Sequence, residues 1–421
     1  MALLAKACLA LIYASSTNAF VNYHHQRRHN ELAFAFESST GTLILPLQAS
    51  TNHVEFHVAP MQCYTNAPLR HFFRLASPDA TIWTEMEKVP DVLSGSLQRR
   101  FGSPGYYDNV VLQLGGNNPN QLRDCLTKIN LEGYTFSEVN LNCGCPSIDT
   151  GGAATYGASL MKDPPLTREL LETMVRGTTA KVSLKCRIGL FETMEHAVAI
   201  GESEYKTLHD YIAHAEQAGI HHVALHARPA ILAGLNPTKN RQVPKLDYDV
   251  VDRIATDFPN IKVTLNGGIA DLAHFEKVVK NQKQTRSYMA GRWMLRRPFD
   301  IMAVQTSHLG ESQATPVQCL NSYMEYVESN LDRHPLSELC LPLYLITEQL
   351  REDYDEENAT HYASEDIENL YGTIKESIEY LSPTKMNGLP DEPNFKKLSA
   401  AFKSLVGTKV ANKWKRNRAE L

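Results

Sequence analysis

The segment Leu141-Asn142-Cys143-Gly144-Cys145-Pro146-Ser147 follows residues 136–140, which we expect to form a short buried strand. Because Pro146 has no N–H to offer a sheet, the strand ends before it, and Cys145 lies on the loop just beyond. A thiol at the C-terminal end of a strand, next to an asparagine amide, suits a general acid or a nucleophile. An inert buried cysteine is the alternative, and the neighbouring strands decide between the two.

Short apolar runs rich in Val, Ile and Leu recur on both sides of this segment. They predict strands at residues 54–59, 81–84, 110–114, 138–141, 181–186, 223–226, 261–265 and 287–290. Helical patterns lie between most of them, for example at 120–131, 205–218 and 272–279. Eight strands with helical crossovers predict an α/β fold, a (β/α)₈ TIM barrel over residues 50–310. A doubly wound open sheet is the structural alternative, but it would not normally need eight such units.

In a TIM barrel, chemistry occurs where the strands end and the loops to the helices begin. Any one polar residue at such a place is usually an ordinary loop residue, but here all eight strand ends carry polar, titratable or glycine residues. The recurrence of such residues at every strand end predicts an active site at the C-terminal face of the barrel. The residues concerned are Pro60, Met61 and Gln62, Glu85, Gln113, Asn142 and Cys145, Lys185 and Arg187, His226 and Arg228, Asn266, Gly267 and Gly268, and Gly291 and Arg292.

The last two strand ends indicate an anionic ligand. Glycines with free backbone N–H groups after strands seven and eight, together with Arg292, would cradle a phosphate. Lys185 and His226 could meet the anionic or carbonyl face of a bound ring, and Gln113 could contact its edge. Flavin mononucleotide would use all of these groups. The spacing supports a phosphate-bearing cofactor or substrate more securely than it supports flavin itself.

Seven motifs, in this order and spacing over residues 53–305, resemble the tRNA-dihydrouridine synthases. They are Ala59-Pro60-Met61, Leu112-Gln113-Leu114-Gly115-Gly116, Asn140-Leu141-Asn142-Cys143-Gly144-Cys145-Pro146-Ser147, Lys185-Cys186-Arg187-Ile188-Gly189, His226-Ala227-Arg228, Asn266-Gly267-Gly268-Ile269 and Gly291-Arg292. Three further stretches are similar to the A-type subfamily: Trp83-Thr84-Glu85-Met86, residues 234–241 and residues 244–248. Two departures stand out, because Pro229 replaces the usual lysine after His-Ala-Arg and residues 191–204 look inserted.

The resemblance implies an oxidoreductase that holds FMN and uses NADPH to reduce a D-loop uridine of tRNA to 5,6-dihydrouridine. Hydride would pass to C6 of the uracil ring, and Cys145 would protonate C5 as general acid. The implied flavin contacts are Pro60, Met61, Gln62, Gln113, Lys185, His226, Asn266, Gly267, Gly268, Gly291 and Arg292. Asn142, Arg187, Arg228 and Arg241 would lie near the uridine, which must be extruded from the tRNA. No metal and no protein partner is implied.

Overall charge does not indicate nucleic-acid binding, because the net charge of the 421 residues is −5. A basic surface would therefore have to be local. Residues 396–421 provide one, with eight Lys and Arg against one Glu. The eight cysteines lack the density of a disulfide scaffold and the spacing of a zinc site, so a reducing compartment is expected.

The C-terminal part, residues 316–421, is expected to be the small helical tRNA-binding domain of the family. Within it, residues 351–368 carry eight acids against one arginine, which predicts an inserted solvated segment. Gly407, Ala411, Trp414, Lys415 and Arg416 resemble the closing motif of the family. Basic residues beside an aromatic side chain suit contact with the tRNA backbone, although Trp414 itself is expected to pack in a core.

The first 45 residues resemble the two-part plastid targeting sequence of algae with secondary plastids. An apolar run at residues 7–12, too short to span a membrane, precedes Phe20 and a basic, acid-poor stretch. This pattern predicts a plastid location without stable membrane association. The alternatives are a plain secretory signal or a disordered N-terminus, with a mitochondrial or cytoplasmic location.

Two other functions remain open at this point. A flavin barrel could reduce a free pyrimidine, although such a small substrate would not need a basic helical tail. A non-catalytic tRNA-binding protein could retain the scaffold, although Cys145, Lys185 and His226 are all present.

Overall fold

The computed structural model describes residues 54–146, 156–312, 314–330 and 332–357. The suspected targeting segment, the basic stretch 396–421 with its closing motif, and the greater part of the acidic segment 351–368 lie outside the described residues. The expectations for these segments stay predictions.

Eight parallel strands close into a barrel in sequence order, and the last strand pairs with the first. The strands are β1 (Glu55–Val58), β2 (Thr81–Lys88), β3 (Gly105–Gly115), β4 (Tyr134–Asn142), β5 (Lys181–Arg187), β6 (His222–His226), β7 (Lys262–Asn266) and β8 (Ser287–Ala290). The intervening helices are α1 (Ala67–Ala76), α2 (Val89–Ser94), α3 (Leu97–Phe101), α4 (Pro119–Leu131), α5 (Pro164–Gly177), α6 (Glu202–Gln217), α7 (Tyr248–Asp257) and α8 (Leu272–Asn281). Closure confirms the predicted TIM barrel and excludes the open sheet.

Asparagine or aspartate caps define where most of these helices begin. The capping side chain accepts a backbone N–H from the first turn, which would otherwise lack a partner. Proline also lies in the first turn of α1, α4 and α5, where its missing N–H costs nothing. The capping residues are Asn66, Asn118, Asp163, Asp247 and Asp271. By setting where each helix begins, they fix the length of the loops at the mouth of the barrel.

Three strands are several residues longer than the sequence pattern predicts: β4 begins at Tyr134 rather than Glu138, and β2 and β3 each contain a shift of register. β2 continues past Thr84 to Lys88, with a shift of register between Trp83 and Met86. β3 begins at Gly105 rather than Val110, and its first residues pair with β4. A bulge inserts a residue and interrupts the alternation of apolar and polar side chains, so the continuation of a strand beyond it cannot be recognised from periodicity.

The interior of the barrel contains a buried chain of polar side chains between β1 and β4. Trp83 Nε1 donates to His57 Nδ1 over 3.1 Å, and His57 Nε2 lies 3.0 Å from Ser287 Oγ. Thr264 continues the chain, 2.6 Å from Ser287 Oγ and 2.7 Å from His222 Nε2. His222 Nδ1 lies 2.8 Å from the carboxylate of Glu138.

Glu138 is ionised in this environment. Burial alone would raise its pKa, but His222 and the Ser183 hydroxyl outweigh that effect and lower the pKa to about 2. A buried carboxylate is therefore the acceptor at which this interior chain ends.

The segment after β5 contains little regular structure before α6. Leu190–Phe191 and Ala230–Ile231 form a separate two-stranded parallel sheet, and Met194–His196 form a short 3₁₀ turn. Of the residues 191–204 that look inserted, 192–201 lie between this small sheet and α6, and 202–204 form the first turn of α6.

Within the described residues, β8 is followed by α9 (Arg292–Arg296), α10 (Asp300–Val304), a π-helical turn (Gln305–Leu309), α11 (Pro316–Ser329) and α12 (Leu336–Glu357). Residues 329–346 belong to the same compact unit as residues 54–313, whereas residues 314–328 and 347–357 belong to a second unit. In the part of the chain described, no helix is both long and apolar enough to cross a membrane. That residues 316–421 form a separate helical domain stays a prediction.

Candidate active site

The carboxyl ends of the barrel strands bring the predicted site residues to one face. Asn142 lies opposite Lys185 in the pairing of β4 with β5, and Arg187 lies opposite His226 in the pairing of β5 with β6. His226 in turn lies opposite Asn266 on β7. Four neighbouring strands therefore present their last polar residues side by side, as the sequence predicts.

Cys143 and Cys145 occupy different environments. Cys143 is fully buried, its thiol bonds to Tyr211, and burial raises its pKa to about 12. Cys145 is half-buried, and its side chain lies near the cations Lys185, Arg187 and Arg241. Of the two thiols, only Cys145 is accessible at the mouth, which favours it over Cys143 as the reacting group.

The loop that carries Cys145 is held by hydrogen bonds on both sides. The Asn142 side-chain Oδ1 accepts the N–H of Gly144 at 3.2 Å and that of Cys145 at 3.1 Å. The Cys145 carbonyl accepts the N–H of Ala158 at 2.9 Å. The Asn142 side chain therefore anchors the backbone of the loop that carries the thiol.

Lys185 is a half-buried cation whose hydrogen-bond partner is neutral. Its Nζ donates to Asn266 Oδ1 over 3.1 Å, and Asn266 Nδ2 donates to the Met289 carbonyl over 3.0 Å. Burial, followed by the charge of Arg187, lowers the pKa of Lys185 to about 8. A half-buried ammonium with a neutral partner is stabilised by any anion or carbonyl that binds next to it.

Lys185 belongs to a group of five cations, which we call the mouth cluster: Lys185, Arg187, Arg228, Arg241 and Arg292. Among the described residues, none of the five lies within ion-pair distance of a carboxylate. The Nε of Arg228 is buried without a hydrogen-bond partner. Arg241 and Arg292 are exposed, and Arg292 donates to the Arg241 carbonyl over 3.2 Å. Such a cluster is suited to an anionic ligand.

His226 is neutral beside this cluster. Burial lowers its pKa well below the usual value, and the charges of Arg187, Lys185, Arg228 and Arg241 lower it further. A neutral imidazole offers one N–H donor and one acceptor to a bound ring.

Arg187, which is predicted to lie near the substrate, is buried below the mouth of the barrel. Its Nε donates to the Gly144 carbonyl over 3.1 Å, and its Nη1 donates to the Asn240 carbonyl over 3.1 Å. The side chain is almost completely buried. Arg187 therefore ties the loop of Cys145 to the loop after β6, and contact with a substrate stays a prediction.

The glycines after β7 are required by the packing of neighbouring side chains. A Cβ at Gly267 (φ 111°) would lie 2.4 Å from the His226 ring, and one at Gly268 (φ 77°) would lie 2.3 Å from Leu246. After β8, a Cβ at Gly291 would lie 3.1 Å from the sulfur of Met61. The predicted phosphate cradle is thus compatible with the backbone here, and phosphate contact stays a prediction.

The loop after β1 and the residue Gln113 complete the set of predicted residues. Pro60 and Met61 are half-buried and Gln62 is exposed, and Thr65 Oγ1 accepts the Met61 N–H at 3.0 Å. The Gln113 side chain is nearly inaccessible to solvent. Its Oε1 accepts a hydrogen bond from Asn142, and its Nε2 donates one to Asn140. These two bonds leave one N–H and one lone pair of the amide unused, and contact with a ligand stays a prediction.

Sequence reasoning missed Asn140, Ser183 and Glu138 as residues connected to the site. They lie below the mouth in a hydrogen-bonded series that reaches Asn142. A signal was present, since polar residues alternate with apolar ones in Glu138-Val139-Asn140-Leu141-Asn142. Across the described ranges, no three His, Cys, Asp or Glu side chains are grouped to hold a metal ion.

Comparison with known proteins identifies the family. The model of the family described as Dihydrouridine synthase (Dus) matches residues 57–339. The tRNA-dihydrouridine(20/20a) synthase of Xanthomonas campestris pv. campestris is 34% identical over 288 residues, 68% of this chain and 82% of that protein. The protein of the same name from Pseudomonas aeruginosa is 35% identical over 262 residues, 62% of this chain and 74% of that protein. Among solved structures, morphinone reductase matches with a TM-score of 0.38 and 8% identity, covering 63% of this chain and 88% of that chain. By the extent of the family match, the chain belongs to the dihydrouridine synthase family.

Proposed function

We propose that this protein is an FMN-dependent tRNA-dihydrouridine synthase, which uses NADPH to reduce a D-loop uridine of tRNA to 5,6-dihydrouridine. The observation that carries the proposal is the mouth of the barrel, where the half-buried thiol of Cys145 lies near a cation cluster that has no acidic partner among the described residues. The names of the relatives specify positions 20 and 20a of tRNA. The same region of tRNA is the proposed target here.

The residues at the mouth fit a phosphate-bearing flavin. The buried Nε of Arg228 has no partner in the described chain, and Lys185 has only the neutral Asn266. Arg292 and the N–H groups near Gly291 would bind the phosphate, whereas Lys185 and the neutral His226 would bind polar atoms of the ring. Pro60, Met61, Gln62, Gln113, Gly267 and Gly268 complete the proposed contacts.

When bound, the flavin would supply a hydride to C6 of the uracil ring after reduction by NADPH. Cys145 would give its thiol proton to C5, so that the C5–C6 double bond gains two hydrogen atoms. Asn142 would hold the Cys145 backbone in place, while Arg228 and Arg241 would offer positive charge to the nucleotide. The thiolate left on Cys145 would recover a proton from solvent before the next turnover.

Reduction requires the uridine to leave the tRNA stack, because its C5 and C6 atoms must reach the barrel mouth. Extrusion costs about a few kcal/mol, which contacts to the tRNA backbone have to offset. The basic stretch 396–421 is the proposed source of these contacts, as its eight Lys and Arg contrast with the overall charge of −5.

The decisive experiment is mass spectrometry of nucleosides from undermodified tRNA incubated with the purified protein, FMN and NADPH. A gain of two hydrogens on uridine, located near position 20 by fragment mapping, is the expected result. Absence of that gain in a yellow protein that oxidises NADPH would overturn the tRNA assignment and favour a free pyrimidine as substrate. A colourless protein that binds tRNA without turnover would favour a non-catalytic role.

Import into a plastid is a separate proposal that rests on residues 1–45 alone. The test is to fuse these residues to a fluorescent protein in an alga with secondary plastids. Fluorescence in the plastid is expected, and fluorescence in mitochondria or cytoplasm would overturn the proposal.

A further inference from the structure

A continuous series of hydrogen bonds runs through the barrel interior from Glu138 to the backbone of Cys145; we call it the Glu138–Asn142 chain. Glu138, Asn140 and Asn142 are alternate residues of β4, and one residue each from β3 and β5, Gln113 and Ser183, completes the chain. Asn142 Nδ2 donates to Gln113 Oε1 over 2.8 Å, and Gln113 Nε2 donates to Asn140 Oδ1 over 2.9 Å. Asn140 Nδ2 donates to Ser183 Oγ over 2.7 Å, and the Ser183 hydroxyl donates to Glu138.

The two ends of this chain have fixed polarity. At the lower end, the ionised Glu138 can only accept, so Ser183 must donate to it. At the upper end, the backbone N–H groups of Gly144 and Cys145 can only donate, so Asn142 must present its oxygen to them.

Between these ends only one arrangement of the amides satisfies every link. Turning the Asn140 amide over would set its NH₂ against that of Gln113 and its oxygen against Ser183, whose proton is engaged by Glu138. Turning Asn142 over would set NH₂ against two backbone N–H groups. All members of the chain are buried, so water cannot replace a missing partner at low cost.

We propose that Glu138, Ser183 and Asn140 are positioning residues for Cys145, because their chain fixes the orientation of the Asn142 amide that anchors the Cys145 loop. All three are buried below the mouth, and the side-chain hydrogen bonds described for them run to other members of the two polar chains. The consequence for turnover rests on the proposed function, whereas the consequence for the thiol does not.

The barrel offers a matched control for this proposal. Ser183 and Thr264 are both completely buried hydroxyl residues in the interior, and each makes two side-chain hydrogen bonds within the network around Glu138. Only Ser183 lies between Glu138 and Cys145. Thr264 lies on the opposite branch, which runs through His222.

The experiment compares Ser183→Ala with Thr264→Val in the full-length protein as purified. The first readout is the rate of Cys145 alkylation by iodoacetamide at one fixed pH, followed on the Cys145 peptide by mass spectrometry and measured without tRNA. The second is kcat and KM for tRNA, and the third is Tm.

We expect Ser183→Ala to raise the alkylation rate about tenfold, since the released loop exposes the half-buried thiol, and to lower kcat about tenfold with little change in KM. Thr264→Val should lower Tm similarly while leaving alkylation and kcat within about twofold of the parent. Ser183→Thr, which keeps the hydroxyl, should restore both values.

Equal alkylation and kcat in Ser183→Ala and the parent would overturn the proposal and leave a purely structural network. Equal effects of Ser183→Ala and Thr264→Val would overturn it too, since the path to Cys145 would then be irrelevant. If Ser183→Ala does not fold, Glu138→Gln is measured instead. The glutamine NH₂ can donate to Ser183, which removes the fixed polarity at the lower end of the chain, so this variant should also accelerate alkylation. A protein that lacks tRNA activity but shows the alkylation pattern would refute the proposed function alone.

Discussion

Cys143 and Cys145 are separated by a single glycine, yet Cys143 is buried and Cys145 is half-buried at the barrel mouth. Single substitutions can test what this difference means for function. Cys145→Ala should keep bound flavin and the stability of the parent but lose about 10² to 10⁴-fold in turnover, the contribution of a positioned general acid. Cys143→Ala is the control, because Cys143 is buried against Tyr211 away from the mouth. It should keep turnover and lose about 1 kcal/mol of stability. Dihydrouridine formation and absorbance of the bound cofactor measure both variants, and full activity of Cys145→Ala would refute its role as acid.

Desolvation of the Lys185 ammonium group lowers the free energy of unfolding of the protein. Its pKa is lowered from 10.5 to about 8, so between these values the unfolded chain binds more protons and stability rises with pH. Below about pH 8 the full penalty is present. Lys185→Met should therefore raise the unfolding free energy of flavin-free protein at pH 7 by about 3 kcal/mol, less the energy of the bond to Asn266, while weakening flavin retention.

Urea unfolding at about pH 7 and about pH 10, on either side of the Lys185 pKa, measures this effect. The advantage of the Lys185→Met variant should shrink at the higher pH, where the native lysine is neutral. An advantage that is equal at both values would show that packing, not the desolvated charge, is responsible.

At the scale of elements, the loop between β4 and α5 depends on a glycine. Gly157 has φ 68°, and a Cβ there would lie 2.6 Å from the Cys145 carbonyl oxygen. Gly157→Ala should cost about 1 kcal/mol of backbone strain and also displace Cys145, so that turnover falls about tenfold or more. The matched control is Gly219→Ala, since Gly219 has φ 87° and a Cβ there would meet nothing within 4 Å.

Gly219→Ala should lose only the stability that backbone strain costs and keep turnover, whereas Gly157→Ala should lose at least as much stability in denaturant titrations and also lose turnover. Equal activity in the two would mean that the Cys145 loop tolerates displacement of its carbonyl.

Element type and order could be predicted because each strand ends in a change from apolar to polar residues. The strand predicted at residues 287–290 coincides with β8, whereas residues 81–84 are only the first half of β2. The bulge after Trp83 explains that shortfall, because the extra residue breaks the period of two. The strand ends also identify the site residues, since parallel strands bring their carboxyl ends together.

The remainder of the site could not be predicted because it depends on contacts between distant segments. Nothing local shows that Arg187 bonds to carbonyls of Gly144 and Asn240, or that Gly267 makes room for the His226 ring. The polar interior is a similar case. Glu138 and His222 are 84 residues apart and meet only when the barrel closes.

At the scale of the whole molecule, charge is distributed unevenly, and this predicts how tRNA binding depends on salt. The chain carries a net charge of −5, yet residues 396–421 hold eight Lys and Arg. If this stretch binds phosphates, replacing Lys413, Lys415 and Arg416 by Gln should weaken tRNA binding. The slope of log K against log salt should then fall by about one for each phosphate that is no longer neutralised.

The control replaces Lys277, Lys280 and Lys283 by Gln, which lowers the net charge by the same amount. These residues are exposed and lie on α8 or just after it, near the start of β8 and therefore towards the end of the barrel opposite the mouth. Their loss should leave the salt slope unchanged, because only local phosphate contacts release counterions. Equal slopes for the two triple variants would show that overall charge governs binding, and the tRNA surface would then have to be sought at Arg228, Arg241 and Arg292 around the barrel mouth.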